Sequence, residues 1–304
     1  MRLRPQASAW PKSRHPAGRS RRPATRRYHR AVLTAPLRRR HLLLCPAALA
    51  LGPAGAQQKR SMKDPLRVGV DPALLESGLA IALQKAFLGD TGVVFRYVPG
   101  PSLPTLEALE RGELDVALTN APEAEARLEK QGLVHDRRAV AAGAYVIVGP
   151  APTPKSFDPA GIARMSDAAE ALAKLREAAL GVPGSVQFLT PGDGSGAHAA
   201  EMALWRAARV APAAPWYVQA PAATLLQQAR QQGAYALVER AVWALQGGKP
   251  LTILVEGDAA LAAPVHAMRS FRVNHPAGKM FVAWIAGPRG RQVVAALRHY
   301  RPPA

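Results

Sequence analysis

From Leu66 onward, short apolar runs alternate with segments whose apolar residues recur at helical spacing. Residues 66–71 read as a strand ending in a turn, and 79–87 as a helix. Residues 93–98 form a second predicted strand. A helix over 103–111 is closed by Gly112, and a third strand over 114–119 leads into helical 123–131. The apolar run 144–149 is a buried-type strand, and the Pro-rich stretch 150–159 marks a boundary. Beyond it the pattern gives a helix at 165–179, a strand at 186–189, a Gly-rich loop, and a helix through Trp205 ending near Ala208. Strands at 216–219, 235–238 and 251–255 follow, separated by helices at 222–232 and 240–245. Residues 265–273 are strand-like, and 280–300 are helical with an interruption at 287–290. No internal repeat is visible. This alternation predicts an α/β fold, with a parallel sheet covered by helices on both faces.

The first 56 residues break the pattern. They hold 13 of the 40 Lys and Arg residues and no acid, which leaves 27 basic against 21 acidic residues in the remainder. The formal net charge of +19 therefore belongs largely to this leader. The remainder is modestly charged and shows no basic-aromatic pattern, which excludes a nucleic-acid partner. Within the leader, Arg38-Arg-Arg40 precedes an apolar stretch of about a dozen residues that ends at Ala54-Gly-Ala56, the plan of a secretory signal peptide cleaved after Ala56. Arg39-Arg40 also suits a twin-arginine signal. Residues 1–37 are Arg, Pro and Ala-rich and form no core; they are either a long basic region or lie upstream of the true start. The single cysteine, Cys45, leaves with the leader, so the exported chain has neither disulfide nor thiolate chemistry. A cysteine-free chain running from residue 57 to 304 fits a bacterial periplasm.

The candidate chemistry lies in Thr190-Pro-Gly-Asp-Gly-Ser-Gly196, a loop that runs straight into a helix. Its glycines allow tight turns and close approach, Ser195 suits an N-cap, and the first helix amides lack intrahelical partners. With the helix dipole added, such a terminus suits an anion. The loop is not the G-x-S-x-G nucleophile elbow, because Asp193 stands at the first glycine position. Ser195 and His198 at one helix start do not build a nucleophile, base and orienting group, so no enzyme is predicted. Asp193 is expected to fix the loop and His198 to be structural, with Trp205 and Trp216 as core anchors. His198 and His266 have no carboxylate or cysteine spacing around them, so neither a metal nor a cofactor is expected.

Taken in order, several motifs carry a resemblance. They are Arg67-Val-Gly-Val70 with Ser77-Gly-Leu79, Gly112-Glu-Leu-Asp-Val-Ala-Leu118, and Val146-Ile-Val-Gly-Pro150. Next come Gly192-Asp-Gly-Ser-Gly-Ala-His198 with Glu201 and Leu204-Trp205, Trp216-Tyr217, and Thr224-Leu225. The last are Gly233-Ala-Tyr235 with Glu239-Arg240, and Ile253-Leu-Val-Glu-Gly-Asp258. Together they resemble the periplasmic solute-binding proteins, and more narrowly the tungstate/molybdate-type binding proteins of ABC transporters. The resemblance covers residues 66 to about 301. It implies a two-lobed periplasmic-binding-protein-like (type II) fold with a two-strand hinge. Lobe one would be 66–146 plus 263–304, and lobe two 147–262. It also implies a monomer that takes a small anionic solute, tungstate or molybdate, into the interlobe cleft and delivers it to a permease.

The departures fall on the ligand positions. Where the family has a run of threonines and serine, this chain reads Val70-Asp-Pro-Ala-Leu74, and Asp71 would repel an anion if it faced the cleft. Gly-Thr-Gly is met by Pro101-Ser-Leu103. The arginine of Ser-Arg-Gly-Asp-Asp-Ser-Gly-Thr-His is replaced by Pro191, and Thr-Asp-Arg-Gly-Thr becomes Val238-Glu-Arg-Ala-Val242. Asn-Pro-Tyr becomes Ala263-Pro-Val265. The residues left to hold a ligand are Ser77, Ser102, Gly194, Ser195, Gly196 and Arg240. They fit a small anion or a related small solute in an importer's binding protein. The other expectation is a non-transport sensor or interaction module that keeps the fold and has lost the oxyanion site.

Overall fold

The computed structural model of the protein describes residues 57–152 and 158–303. The basic leader with its signal-peptide pattern, and the middle of the Pro-rich boundary, lie outside these residues. The chain runs β1 (Gln58–Lys59), β2 (Leu66–Val70), α1 (Pro72–Glu76), α2 (Leu79–Thr91), β3 (Phe95–Pro99), α3 (Ser102–Arg111), β4 (Val116–Thr119), α4 (Pro122–Lys130) and β5 (Val134–Pro150). It continues with α5 (Ala168–Gly181), β6 (Phe188–Thr190), α6 (Gly196–Ala207), β7 (Tyr217–Gln219), α7 (Leu225–Gln232), β8 (Tyr235–Glu239), α8 (Arg240–Gln246) and β9 (Leu251–Val255). It closes with β10 (Ala262–Ser270), β11 (Val273–Asn274), α9 (Pro276–Ala286) and α10 (Pro288–Ala295). Among the described residues no helix is long and apolar enough to cross a membrane.

The strands are ordered β3-β2-β4-β10-β5-β8-β6-β7, with β9 also paired to β5. β2 lies parallel to β3 and β4, and β6 parallel to β7 and β8, as the alternation predicts. The sheet as a whole is mixed rather than parallel. β10 runs antiparallel to β4 and β5, and β5 antiparallel to β8 and β9. Periodicity marks a strand and which face is buried, and it carries no direction. β10 enters the first half of the sheet after the chain has passed through the second, and that return reverses it.

β5 is longer than its apolar run. Its first part, from Val134, is exposed at several polar positions and pairs with β10 from Val134↔Ser270 to Ala144↔Ala262. Its second part pairs with β8 and β9. Ladder hydrogen bonds to β10 carry the first part between its few buried apolar residues, Val134, Val140 and Ala141, so a run of apolar residues starts the strand ten residues late. One strand therefore passes through both halves of the sheet.

Each half has its own core. Phe87, Phe95 and Phe281 meet edge-on in the first half, with ring centroids 5.0 Å apart for both pairs that include Phe281. In the second half Trp205 packs against Phe188 and Trp216 at 5.3 and 5.6 Å, as the sequence predicts for the two tryptophans. Burying a side chain such as Phe87 fully contributes about 1.5–3 kcal/mol. The C-terminal helical stretch breaks at Gly287, where Pro288 opens α10 at its first turn. These cores hold the carboxyl ends of β2, β4, β6 and β8 around one place, which is where open α/β sheets bind ligands.

Candidate functional site

Asp71 leaves the end of β2 and caps α1, its Oδ1 accepting from the Ala73 amide at 3.1 Å. Its Oδ2 accepts from the Ser102 amide at 2.9 Å, the Ser102 hydroxyl at 2.7 Å and the Gly196 amide at 3.1 Å. Ser102 is the first residue of α3, and Gly196 the first of α6. The residue before α3, Pro101, makes no side-chain cap of its own. One carboxylate thus takes amides at the starts of three helices, where partial positive charge gathers. Asp71 is 1 % exposed. Burial pushes its carboxyl pKa up, and the bonds from Ser102, Gly196 and Ala73 oppose this only in part.

The loop before α6 is fixed from within. Asp193 Oδ1 accepts from the Ser195 amide at 2.9 Å, and Ser195 Oγ caps α6 by accepting from the His198 amide at 3.3 Å. His198 Nδ1 accepts from the Gly194 amide at 3.0 Å, and burial lowers the ring's pKa against the pull of Asp193. These are the structural roles expected of Asp193 and His198. Gly194 has φ +78°, and its carbonyl accepts from the Leu103 amide of α3 at 2.8 Å. A Cβ on Gly196 would overlap Asn120 Oδ1, so this position requires glycine.

Around this centre lies a second ring of polar groups. Asn120, just past β4, places Oδ1 3.1 Å from the Ser102 hydroxyl and donates through Nδ2 to Glu239 Oε1. The Tyr300 hydroxyl donates to Glu239 Oε2 at 3.1 Å and lies 2.8 Å from Ser77 Oγ. Burial and the charge of Asp71 push the Glu239 carboxyl up to about 8. A cavity of about 90 Å³ adjoins the centre; its ionisable lining groups are Asp71, Glu76, Asp193 and Glu239, and no Lys or Arg lines it. Past Asn120 and His198 lies a second cavity of about 440 Å³, lined by Arg127 and Arg206 among others.

The structure brings Ser102 and Gly196 together on Asp71 and sets Gly194 and Ser195 in the adjoining loop. Ser77 lies farther out. It ends α1 rather than starting α2, and its hydroxyl donates to the Leu74 carbonyl at 3.3 Å on the far side of Tyr300. Arg240 is placed elsewhere. It opens α8 with its guanidinium paired to Glu256, half-exposed, and it does not line the small cavity. Neither Glu239, its neighbour in sequence, nor Asp193 of the glycine loop takes that charge. Asn120, Glu239 and Tyr300 are the residues that sequence reasoning missed. Asp71-Pro72 carried a usable signal, since an aspartate before a first-turn proline marks a helix start. Tyr300 carried none. His266 pairs with Glu125 at 2.7 Å, and among the described residues no group of three or more His, Cys, Asp or Glu is arranged to hold a metal ion.

Known proteins share this architecture. A putative ABC transporter anion-binding protein of Haloferax volcanii is 27% identical over 259 residues, covering 81% of this chain and 72% of its own length. A tungstate-binding protein, TupA, of Peptoclostridium acidaminophilum is 26% identical over 261 residues, covering 83% of this chain and 88% of its own. A solved structure described as the tungstate ABC transporter of Geobacter sulfurreducens matches with a TM-score of 0.64 at 29% identity, over 76% of this chain and 98% of that one. The family model for the PBP superfamily domain matches residues 55–287, and the chain belongs to that family.

Proposed function

We propose that this chain is the extracytoplasmic solute-binding protein of an ABC importer, and that it takes a small anion between two lobes. Lobe one comprises residues 66–146 and 263–304, lobe two 147–262, and the lobes swing about β5 and the entry to β10. One observation carries the reading: amides and a hydroxyl at the starts of α1, α3 and α6 converge on a single carboxylate. A cradle of this kind suits any small oxyanion, including tungstate, molybdate and small carboxylates. Binding proceeds without chemistry, since Ser195 Oγ caps a helix while the His198 ring holds Gly194.

The test is a thermal-shift titration of the purified protein with tungstate, molybdate, sulfate, phosphate and acetate. A ligand that binds only the folded state raises Tm with concentration, by about 2.7 kcal/mol of stability at 100 times Kd. No rise with any of these at millimolar concentration sinks the anion reading. A second reading, a non-transport sensor or interaction module, draws support from the carboxylate that already fills the cradle. Permease and ATPase genes beside this gene favour import, and a neighbouring sensor kinase favours the second reading.

A further inference from the structure

We propose that the Asp71 carboxylate is the site's internal ligand: it fills the cradle made by Ser102 and Gly196, clasps the two lobes together without solute, and competes with any solute anion for the same donors. This rests on reading the cradle as the solute site.

The geometry bridges the lobes. Asp71 and Ser102 stand in lobe one, and the Gly196 amide, 3.1 Å from Asp71 Oδ2, stands in lobe two. The Leu103 amide reaches the Gly194 carbonyl at 2.8 Å in the same direction, and Asn120 reaches Glu239. The donors are all neutral N–H and O–H groups, and they are buried. Left empty in closed lobes, they would be unsatisfied donors in a dry site, which is costly. Asp71 removes that cost from within the chain.

The chemistry makes Asp71 and a solute exclusive. A second anion beside Asp71 would meet a like charge with no Lys or Arg lining the cavity to offset it. A displaced Asp71 finds none in the adjoining cavity either, where the other ionisable groups are the acids Glu76, Asp193 and Glu239. A solute must therefore displace the carboxylate, and its apparent affinity falls by the fraction of molecules in which the clasp is open.

The experiment compares wild type, Asp71→Ser, the isosteric Asp71→Asn and Glu76→Gln by tungstate calorimetry, and by X-ray scattering without solute. Glu76→Gln removes a negative charge from the same cavity without touching the cradle. Both Asp71 variants are expected to bind tungstate at least 10-fold tighter than wild type, and Glu76→Gln less than 3-fold tighter. Solute-free wild type is expected to be compact. Asp71→Asn is expected to expand and to contract again on adding tungstate. Equal affinity in wild type and the Asp71 variants overturns the clasp and leaves the importer reading standing. An equal gain in Glu76→Gln overturns it as well, by reducing it to general charge removal. An Asp71→Asn protein as compact as wild type also overturns it. Absence of tungstate binding in all four proteins overturns the competition, while the anion reading then stands or falls with the five-anion titration.

Discussion

Two buried aspartates sit at opposite ends of the same pair of parallel strands and do opposite things. Asp115 precedes β4, beside the start of β2, and Asp71 follows β2. They are 2 % and 1 % exposed. Asp115 is surrounded by cations. It accepts from the Arg67 amide at 2.8 Å and from the Arg67 guanidinium at 3.1 Å, and it pairs with Arg60. Burial works to raise its pKa, but the bonds from Arg67 and Arg60 outweigh burial and hold the carboxyl below its usual range. Asp71 has amides and a hydroxyl in place of cations, and burial wins. A carboxylate locked to guanidinium groups is structural, because removing it strands two positive charges. One held by neutral helix-start donors can be exchanged for another anion. The amino ends of the strands stabilise this protein, and the carboxyl ends carry its candidate site.

The largest expected effect comes from breaking the structural member. Asp115→Ala leaves Arg67 and Arg60 without their partner and should cost about 3 kcal/mol in urea unfolding. Asp71→Asn should cost about 1 kcal/mol, because no cation is stranded. Equal losses would break the comparison.

A pH series sharpens it next. Glu239 belongs to the cation-free site, facing Asp71 and Glu76 with the hydroxyls of Tyr145 and Tyr300 nearby. Its folded pKa of about 8 lies above the ordinary value of 4.5. The folded state therefore binds the proton more tightly than the unfolded one, and the stability this adds is fully present below pH 4.5. That contribution is lost as pH rises through about 8. Wild-type Tm should fall between pH 5 and pH 9, and Glu239→Gln should flatten the fall and melt above wild type at pH 9. A Glu239→Gln curve parallel to wild type would remove Glu239 from this account.

The smallest effect is expected at Arg240, whose pair with Glu256 is solvent-exposed on both sides. Arg240→Ala should change stability by no more than about 0.5 kcal/mol and leave tungstate affinity unchanged. A loss of affinity would bring Arg240 back into the site.

The sequence by itself determined most of the longer elements, because the periods of helix and strand are written in which positions are apolar, but not the short α1 or the β1–β11 pair. It placed Trp205 and Trp216 in the core and marked the glycine loop before α6 as a helix start. It also held the residues Ser102 and Gly196 that end up on Asp71. It did not show that β10 runs antiparallel into the sheet or that β5 begins at Val134, since strand direction and edge pairing depend on partners far along the chain. Nor did it show which charges meet. Arg240 is adjacent to Glu239 in sequence yet pairs with Glu256, while Tyr300 reaches Glu239 across 61 positions. Asp71 reads locally as a helix cap or a repulsive intruder. Only the tertiary structure brings α3 and α6 to its carboxylate, because hydrogen bonds and burial are decided by neighbours in space rather than by neighbours in sequence.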